Sequence, residues 1–330
     1  MDNKIIEAIR YAMVPYRINL KAGDRLVLLA DTGTDPAVTQ AFMAAALALD
    51  IKPYLIMSPP VLFHHDSPDQ AVVDAIAAAD PDIVHLITTK AVLHSSAIHR
   101  FQVQTGKPII ASEEISIEML RGGGVSADYD TMNVLAAKLT KIYTDGARLH
   151  VTSDNGTDLV ADITGRPGYI CAGKIVRNAG CELYACAFPD GEVGIAPVEG
   201  TANGTIVWDG SMHHVGLISD PIKATFVDGR CVDISGGAEA RRLETYLDAH
   251  GDDGARLLCE AAIGLNDKIA LSGVVREDKK KAGTMHLALG MNTDVGGTID
   301  SRLHIDGVLR RPTLHVDDLL VVDNGVLQIK

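Results

Sequence analysis

The sequence predicts an α/β protein in two parts: an N-terminal parallel-sheet α/β domain over residues 1–147, followed by an α+β domain rich in antiparallel strands over 148–330. Three observations predict this. Up to about residue 145, continuous Val/Ile/Leu runs alternate with helical patterns, as parallel strands covered on both faces require. Beyond residue 148, apolar and polar residues alternate between Gly, Asp and Asn turns, the pattern of antiparallel strands. The chain also has 330 residues, 47% of them hydrophobic, which is enough for a sizeable core and, by length, for two ordinary domains.

The elements follow in order. Residues 1–16 carry a helical apolar pattern (Ile5, Ile6, Ile9, Met13) interrupted by Lys4, Glu7 and Arg10. Arg25 to Ala30 reads as a buried strand and Asp35 to Asp50 as an amphipathic helix. Pro53 to Met57 is the next strand, followed by a helix from Asp69 to Ala79. Strands at Ile83–Ile87 and Pro108–Ala111 flank a helix over 93–105, and Met132 to Asp145 closes this part as a helix. The second part opens with strands at Leu149–Thr152, Asp158–Ile163 and Gly204–Trp208. Helices are expected at Glu239–Ala249 and at Asp253–Ala262.

The formal charge is -13, with 43 acidic against 30 basic residues. So acidic a surface repels phosphate backbones, and no basic stripe with interleaved aromatics offsets it, so nucleic acid is excluded as a partner. The charged N-terminal helix lacks the uninterrupted apolar stretch of a signal peptide. No run reaches the ~18 apolar residues of a membrane span. Five cysteines without CxxC spacing read as free thiols in a reducing compartment, and a cytoplasmic location is the expectation.

Several short strings carry chemistry. Asp31-Thr32-Gly33 matches half of an aspartic-protease pair, but the second loop that would share the proton is missing. It reads instead as a helix start capped by Thr34 or Asp35. His64-His65-Asp66 follows the second strand, and loops at the carboxyl ends of parallel strands are where α/β domains bind ligands. His64 and His65 are therefore candidate substrate contacts, against the plainer reading of a solvated loop. His213 and His214 are also candidate pocket residues, against a solvated hairpin turn.

The dense signal lies between Pro189 and Asp306. Glu192 enters an apolar segment after a Pro-Asp-Gly turn, and Glu199 opens a Gly-Thr-Ala-Asn-Gly turn. Glu260 and His286 sit in apolar, glycine-punctuated runs. His304 and Asp306 alternate on a strand, which places them on one face roughly 6–7 Å apart along it. A single buried histidine is usually a hydrogen-bonded core residue. Three carboxylates and two histidines in apolar surroundings are costly to bury without a cation. Imidazole and carboxylate ligands suit Zn²⁺, Co²⁺, Mn²⁺ or Fe²⁺.

Phe188-Pro-Asp-Gly-Glu-Val, Glu199-Gly-Thr-Ala-Asn-Gly, Glu260-Ala-Ala-Ile-Gly-Leu-Asn266, Gly283-Thr-Met-His-Leu-Ala-Leu-Gly290 and His304-Ile-Asp306 resemble the aminopeptidase T family of metallopeptidases, in order and at similar intervals. The resemblance implies a homodimer with two divalent metals (Zn, Co or Mn), held here by Glu192, Glu260, His286, His304 and Asp306. It implies metal-activated water acting on a small peptide or amide; Glu192 or Glu199 is the candidate to take the proton, each open as ligand or base. The sequence departs from that pattern at Met291 to Asp294, where the family has a tyrosine ligand. It departs again at Glu277-Asp278-Lys279-Lys280, where a Lys stands for a usual Glu. The loop Asn292-Thr-Asp-Val-Gly-Gly297 leading to His304 is similar to a related branch, the 2,5-dihydroxypyridine 5,6-dioxygenases. That branch implies one Fe(II) and a phenolic ring as substrate. The sequence departs from it in having Glu260 where the branch has a histidine, and in keeping Glu192 and His286, which have no counterparts there; on this reading Glu260, His304 and Asp306 form the facial set with coordination positions left open. A third reading, a metal-free binding protein, predicts stability insensitive to chelators.

Overall fold

The computed structural model describes residues 3–329; Met1, where the first helical pattern begins, lies outside them. Helix α1 (Asn3–Asn19) leads into β1 (Arg25–Asp31), α2 (Pro36–Leu47), β2 (Lys52–Ser58), α3 (Gln70–Ala78) and β3 (Ile83–Leu86). Helix α4 (Ser96–Thr105), β4 (Ile109–Ala111) and α5 (Tyr129–Asp145) follow. Then come β5 (Arg148–Thr152), β6 (Asp158–Asp162), β7 (Gly168–Cys171), β8 (Ala185–Ala187) and β9 (Glu192–Ile195). Strands β10 (Asn203–Trp208), β11 (Ser211–Met212), β12 (Gly216–Leu217), β13 (Ile222–Val227) and β14 (Arg230–Ser235) precede α6 (Ala238–His250). The chain ends with β15 (Leu258–Gly264), α7 (Val275–Asp278), β16 (Met285–Gly290), β17 (His304–Leu309), β18 (Thr313–Val316), β19 (Leu319–Asp323) and β20 (Val326–Leu327).

The chain divides into two compact units. One comprises residues 1–129 with 171–177 and 183–190; the other comprises 130–170, 178–182 and 191–330. The composition shift near residue 147 therefore does not coincide with the division by contacts, which falls before α5. The chain also returns to the first unit to add β8, whose Ala185, Cys186 and Ala187 pair with Ile109, Ile110 and Ala111 of β4. No local pattern reveals such a return, because it depends on a partner strand far away in sequence.

The first unit is a parallel sheet of order β2-β1-β3-β4-β8. Right-handed crossovers out from β1 and back put α2 on one face and α3 and α4 on the other. Accordingly, α1 packs on α2, and α3 on α4. Asp35 caps α2 by accepting from the Ala37 amide at 2.9 Å, as the Asp-Thr-Gly-Thr-Asp string predicts. Asp31 ties the β1 end to the β3 end: its Oδ2 accepts from the Thr89 amide at 2.6 Å and the Thr89 hydroxyl at 2.8 Å. Strand β2 departs from expectation. It is the sheet edge, so Tyr54, Leu55 and Met57 are exposed rather than covered.

The second unit holds two antiparallel sheets, β14-β13-β10-β6-β5-β18-β19-β20 and β12-β11-β17-β16-β15-β9-β7. Trp208 of the first donates its indole N–H to the Leu287 carbonyl of the second at 3.1 Å. Its ring fills the space where a Cβ at Gly307 would stand. The helix expected at 253–262 is not formed. Residues 258–264 are instead the strand β15, fully buried between β9 and β16. The apolar run Leu-Cys-Glu-Ala-Ala-Ile-Gly fits either state locally, and burial between neighbouring strands decides it. The five cysteines are free thiols. Among the described residues, no helix is long and apolar enough to cross a membrane.

Candidate metal centre

Strand register builds the site. Antiparallel partners point to the same face of a sheet, and so do residues two apart on one strand. Glu192 pairs with Gly264, Gly194 with Ala262, Ala262 with His286 and Glu260 with Ala288. Ala288 pairs in turn with Asp306, and Gly290 with His304. One face of four adjacent strands therefore carries Glu192, Glu260, His286, His304 and Asp306, spaced by Gly194, Ala262, Gly264, Ala288 and Gly290. The small residues leave room for the large polar ones to converge. None of the five is more than 5% exposed.

Glu260, His304 and Asp306 each offer a ligand atom, all within 4.8 Å of one another. His304 Nε2 lies 3.1 Å from Glu260 Oε2 and 3.2 Å from Asp306 Oδ1. Its Nδ1 is 2.8 Å from the Met291 carbonyl, which can only accept. The Nδ1 proton is thereby fixed and Nε2 is the nitrogen turned toward the carboxylates, where it donates in the metal-free protein and would offer its lone pair to an ion once that proton is lost. Glu260 is held in turn. Its Oε1 accepts from the Tyr169 hydroxyl and lies 2.8 Å from His286 Nε2. The Tyr169 ring crosses β9 at Gly194, where any Cβ would overlap it. His286 Nδ1 is buried with no hydrogen-bond partner among the described residues.

The electrostatics agree with a cation site. Burial alone would raise the Glu260 carboxyl, but hydrogen bonds from His286 and His304 hold it well below its ordinary range. Burial likewise opposes the ionisation of Asp306, which Lys279 and His304 nevertheless keep far below normal. Burial would lower His304; its contacts with Cys259 and Asp306 outweigh that and raise it well above 6.5. These three residues fit a divalent ion in donor type and in mutual distance.

The remaining expected residues are distributed as follows. Glu192 faces two ammonium groups, Lys280 Nζ at 3.2 Å and Lys279 Nζ at 3.7 Å from its Oε2. His213 adjoins the centre: its Nδ1 accepts from the Asp306 amide at 3.2 Å and lies 3.6 Å from Asp306 Oδ2. His214 turns away at φ 64° and stacks on Tyr246 at 3.8 Å. Glu199 is bound into a clasp by Arg166, the Thr298 amide at 2.8 Å and Asn292 Nδ2 at 3.2 Å. Asn292 also accepts from the Ile299 amide at 2.8 Å, so this clasp shapes loop 292–298. His64 and His65 belong to the first unit, beyond β2. There His64 Nδ1 accepts from the Ala91 amide at 3.2 Å, and the His65 ring lies 5.7 Å from His94. Sequence reasoning missed Tyr169 and passed over Lys279 and Lys280 as site residues. The lysines announced themselves only as a departure from a family pattern, and Tyr169 by nothing local.

Residues 14–329 match the family model described as NicX, 2,5-dihydroxypyridine 5,6-dioxygenase. The chain belongs to that family. A 2,5-dihydroxypyridine 5,6-dioxygenase of Pseudomonas putida is 26% identical over 321 residues, covering 88% of this chain and 87% of the relative. The structure of a 2,5-dihydroxypyridine dioxygenase from Pseudomonas putida KT2440 superposes with a TM-score of 0.81 at 22% identity, covering 99% of this chain and 98% of that one. Wild-type AmpT from Thermus thermophilus superposes with a TM-score of 0.70 at 16% identity, covering 98% and 99%. The two structural likenesses establish a shared fold. Membership of the NicX family makes this chain an enzyme.

Proposed function

We propose that this protein is a mononuclear Fe(II) dioxygenase that opens a hydroxylated N-heteroaromatic ring of the dihydroxypyridine type. The observation that carries the reading is the family match over nearly the whole chain. Glu260, His304 and Asp306 would hold the ion. This set has Glu260 in place of the second imidazole of the usual two-histidine, one-carboxylate iron triad; like that triad it would leave positions for a ring hydroxyl and for dioxygen, and the ion would supply dioxygen activation. The protein's own part is positional. Met291 orients His304, Tyr169 and His286 orient Glu260, and the buried face keeps bulk water from the reacting ring.

A metal-dependent hydrolase is the second reading. It is favoured by the placement of Glu192, Glu260, His286, His304 and Asp306 on one face and by the likeness to AmpT. The test loads metal-free protein with Fe(II) under anaerobic conditions and adds 2,5-dihydroxypyridine and air in an oxygen electrode. Dioxygen uptake equimolar with loss of the ring chromophore is expected. No uptake, together with amino-acid release from a dipeptide by the zinc- or cobalt-loaded protein, would overturn the reading in favour of hydrolysis.

A further inference from the structure

Asp306 divides its two oxygens between two positive neighbours. Oδ1 faces His304 Nε2 within the metal triad, while Oδ2 lies 3.0 Å from Lys279 Nζ. Lys279 Nζ is also 3.7 Å from Glu192 Oε2, the oxygen that Lys280 approaches to 3.2 Å. A carboxylate shared in this way, with a second carboxylate opposite, is how proteins bracket a second metal ion about 3.5–4 Å from the first. Here the bracketed position already holds an ammonium group.

We propose that Lys279 is a built-in cation that fills the second cation position between Glu192 and Asp306 and limits this centre to one metal ion. The inference rests on the triad holding a metal, whichever reaction follows. The charge balance supports it. Three buried carboxylates, Glu192, Glu260 and Asp306, face the buried Lys280 and the largely buried Lys279, leaving one net negative charge once His304 has given up its proton to act as a ligand. One dication turns that into one net positive charge, whereas a second would leave three uncompensated positive charges in a buried site.

The backbone also fixes the lysine in place. Lys279 ends the short helix α7, its amide donating to the Val275 carbonyl at 3.0 Å. The preceding Asp278 anchors the turn by accepting from the Ser272 and Gly273 amides, each at 2.8 Å. Asn266 donates its amide to the Lys280 carbonyl at 2.8 Å. An ammonium on so anchored a segment is not readily displaced by an incoming ion.

The test counts metal with redox-silent ions. Metal-free wild type, Lys279→Ala, Lys279→Gln and Lys279→Arg are saturated with Mn²⁺ or Zn²⁺, freed of excess by gel filtration and analysed for metal per chain. Melting temperature is followed along the same titrations. The expected counts are one ion for wild type and Lys279→Arg and two for the neutral variants, whose melting temperature rises in two saturating steps. Two ions in wild type would overturn the proposal without any variant. One ion in folded Lys279→Ala and Lys279→Gln would overturn it equally. No ion in wild type would instead sink the metal reading of the triad, and the inference with it.

Discussion

Tyr169 shows at the scale of a residue how the centre is oriented from outside. Its hydroxyl reaches Glu260 only because Gly194 has no side chain. Groups that hold metal ligands from behind typically contribute ~10–100-fold in metal affinity. Tyr169→Phe should therefore weaken metal binding by about 10–100-fold with the fold intact, measured by competition against a chromogenic chelator; an unchanged affinity would deny Tyr169 that role. His304 and Asp306 were legible from sequence because a two-residue spacing on a strand settles which face they share. Tyr169, Lys279 and Lys280 were not, since their partners lie on strands that only the folded sheet brings near.

Among the elements, loop 292–298 and strand β15 teach different lessons. The loop's resemblance to the dioxygenase branch is visible in sequence, but its clasp is not. Glu199, a candidate base by sequence, spends its carboxylate on Arg166, Asn292 and the Thr298 amide. Burial alone would raise its carboxyl, yet these contacts hold it below its ordinary range. Glu199→Gln should lower stability by ~1–3 kcal/mol, the usual cost of weakening a partly buried charged network, and leave the metal count unchanged. Urea unfolding and metal analysis check both halves, and a lost metal would make Glu199 part of the centre. In β15, Leu-Cys-Glu-Ala-Ala-Ile-Gly has no period that separates helix from strand, so the expected helix gave way to pairing with β9 and β16. By contrast, Gly194→Ala follows from register alone. It should displace Tyr169, weaken metal binding at least as much as Tyr169→Phe, and lower the urea midpoint as well. A variant with wild-type affinity and midpoint would mean that β9 shifts to absorb the methyl group.

For the molecule as a whole, the α/β character of the first unit and the antiparallel character of the second were legible from period and composition. The return of the chain to add β8 was not. Buried charges give the whole protein a pH signature. Glu192, Glu260 and Asp306 titrate below their ordinary values, so their contribution to stability is complete above about pH 4.5 and fades as pH falls through the folded values. His304 titrates above 6.5, so its contribution is complete below that pH and fades as pH rises. Metal-free protein should thus show its highest urea midpoint between about pH 4.5 and 6.5. A saturating divalent ion takes the place of the His304 proton and should extend that plateau upward, since metal binding and ligand deprotonation are linked. A midpoint of the metal-free protein still rising beyond pH 7 would contradict this charge arrangement.

The central claim, ring opening by dioxygen at a single ion, meets its most direct test in an isotope experiment. Iron-loaded protein is given 2,5-dihydroxypyridine under ¹⁸O₂ in ordinary water, and the product is weighed by mass spectrometry. Both labelled atoms in one ring-opened product is the result this account predicts. A product carrying oxygen only from water would contradict it and return the centre to hydrolysis.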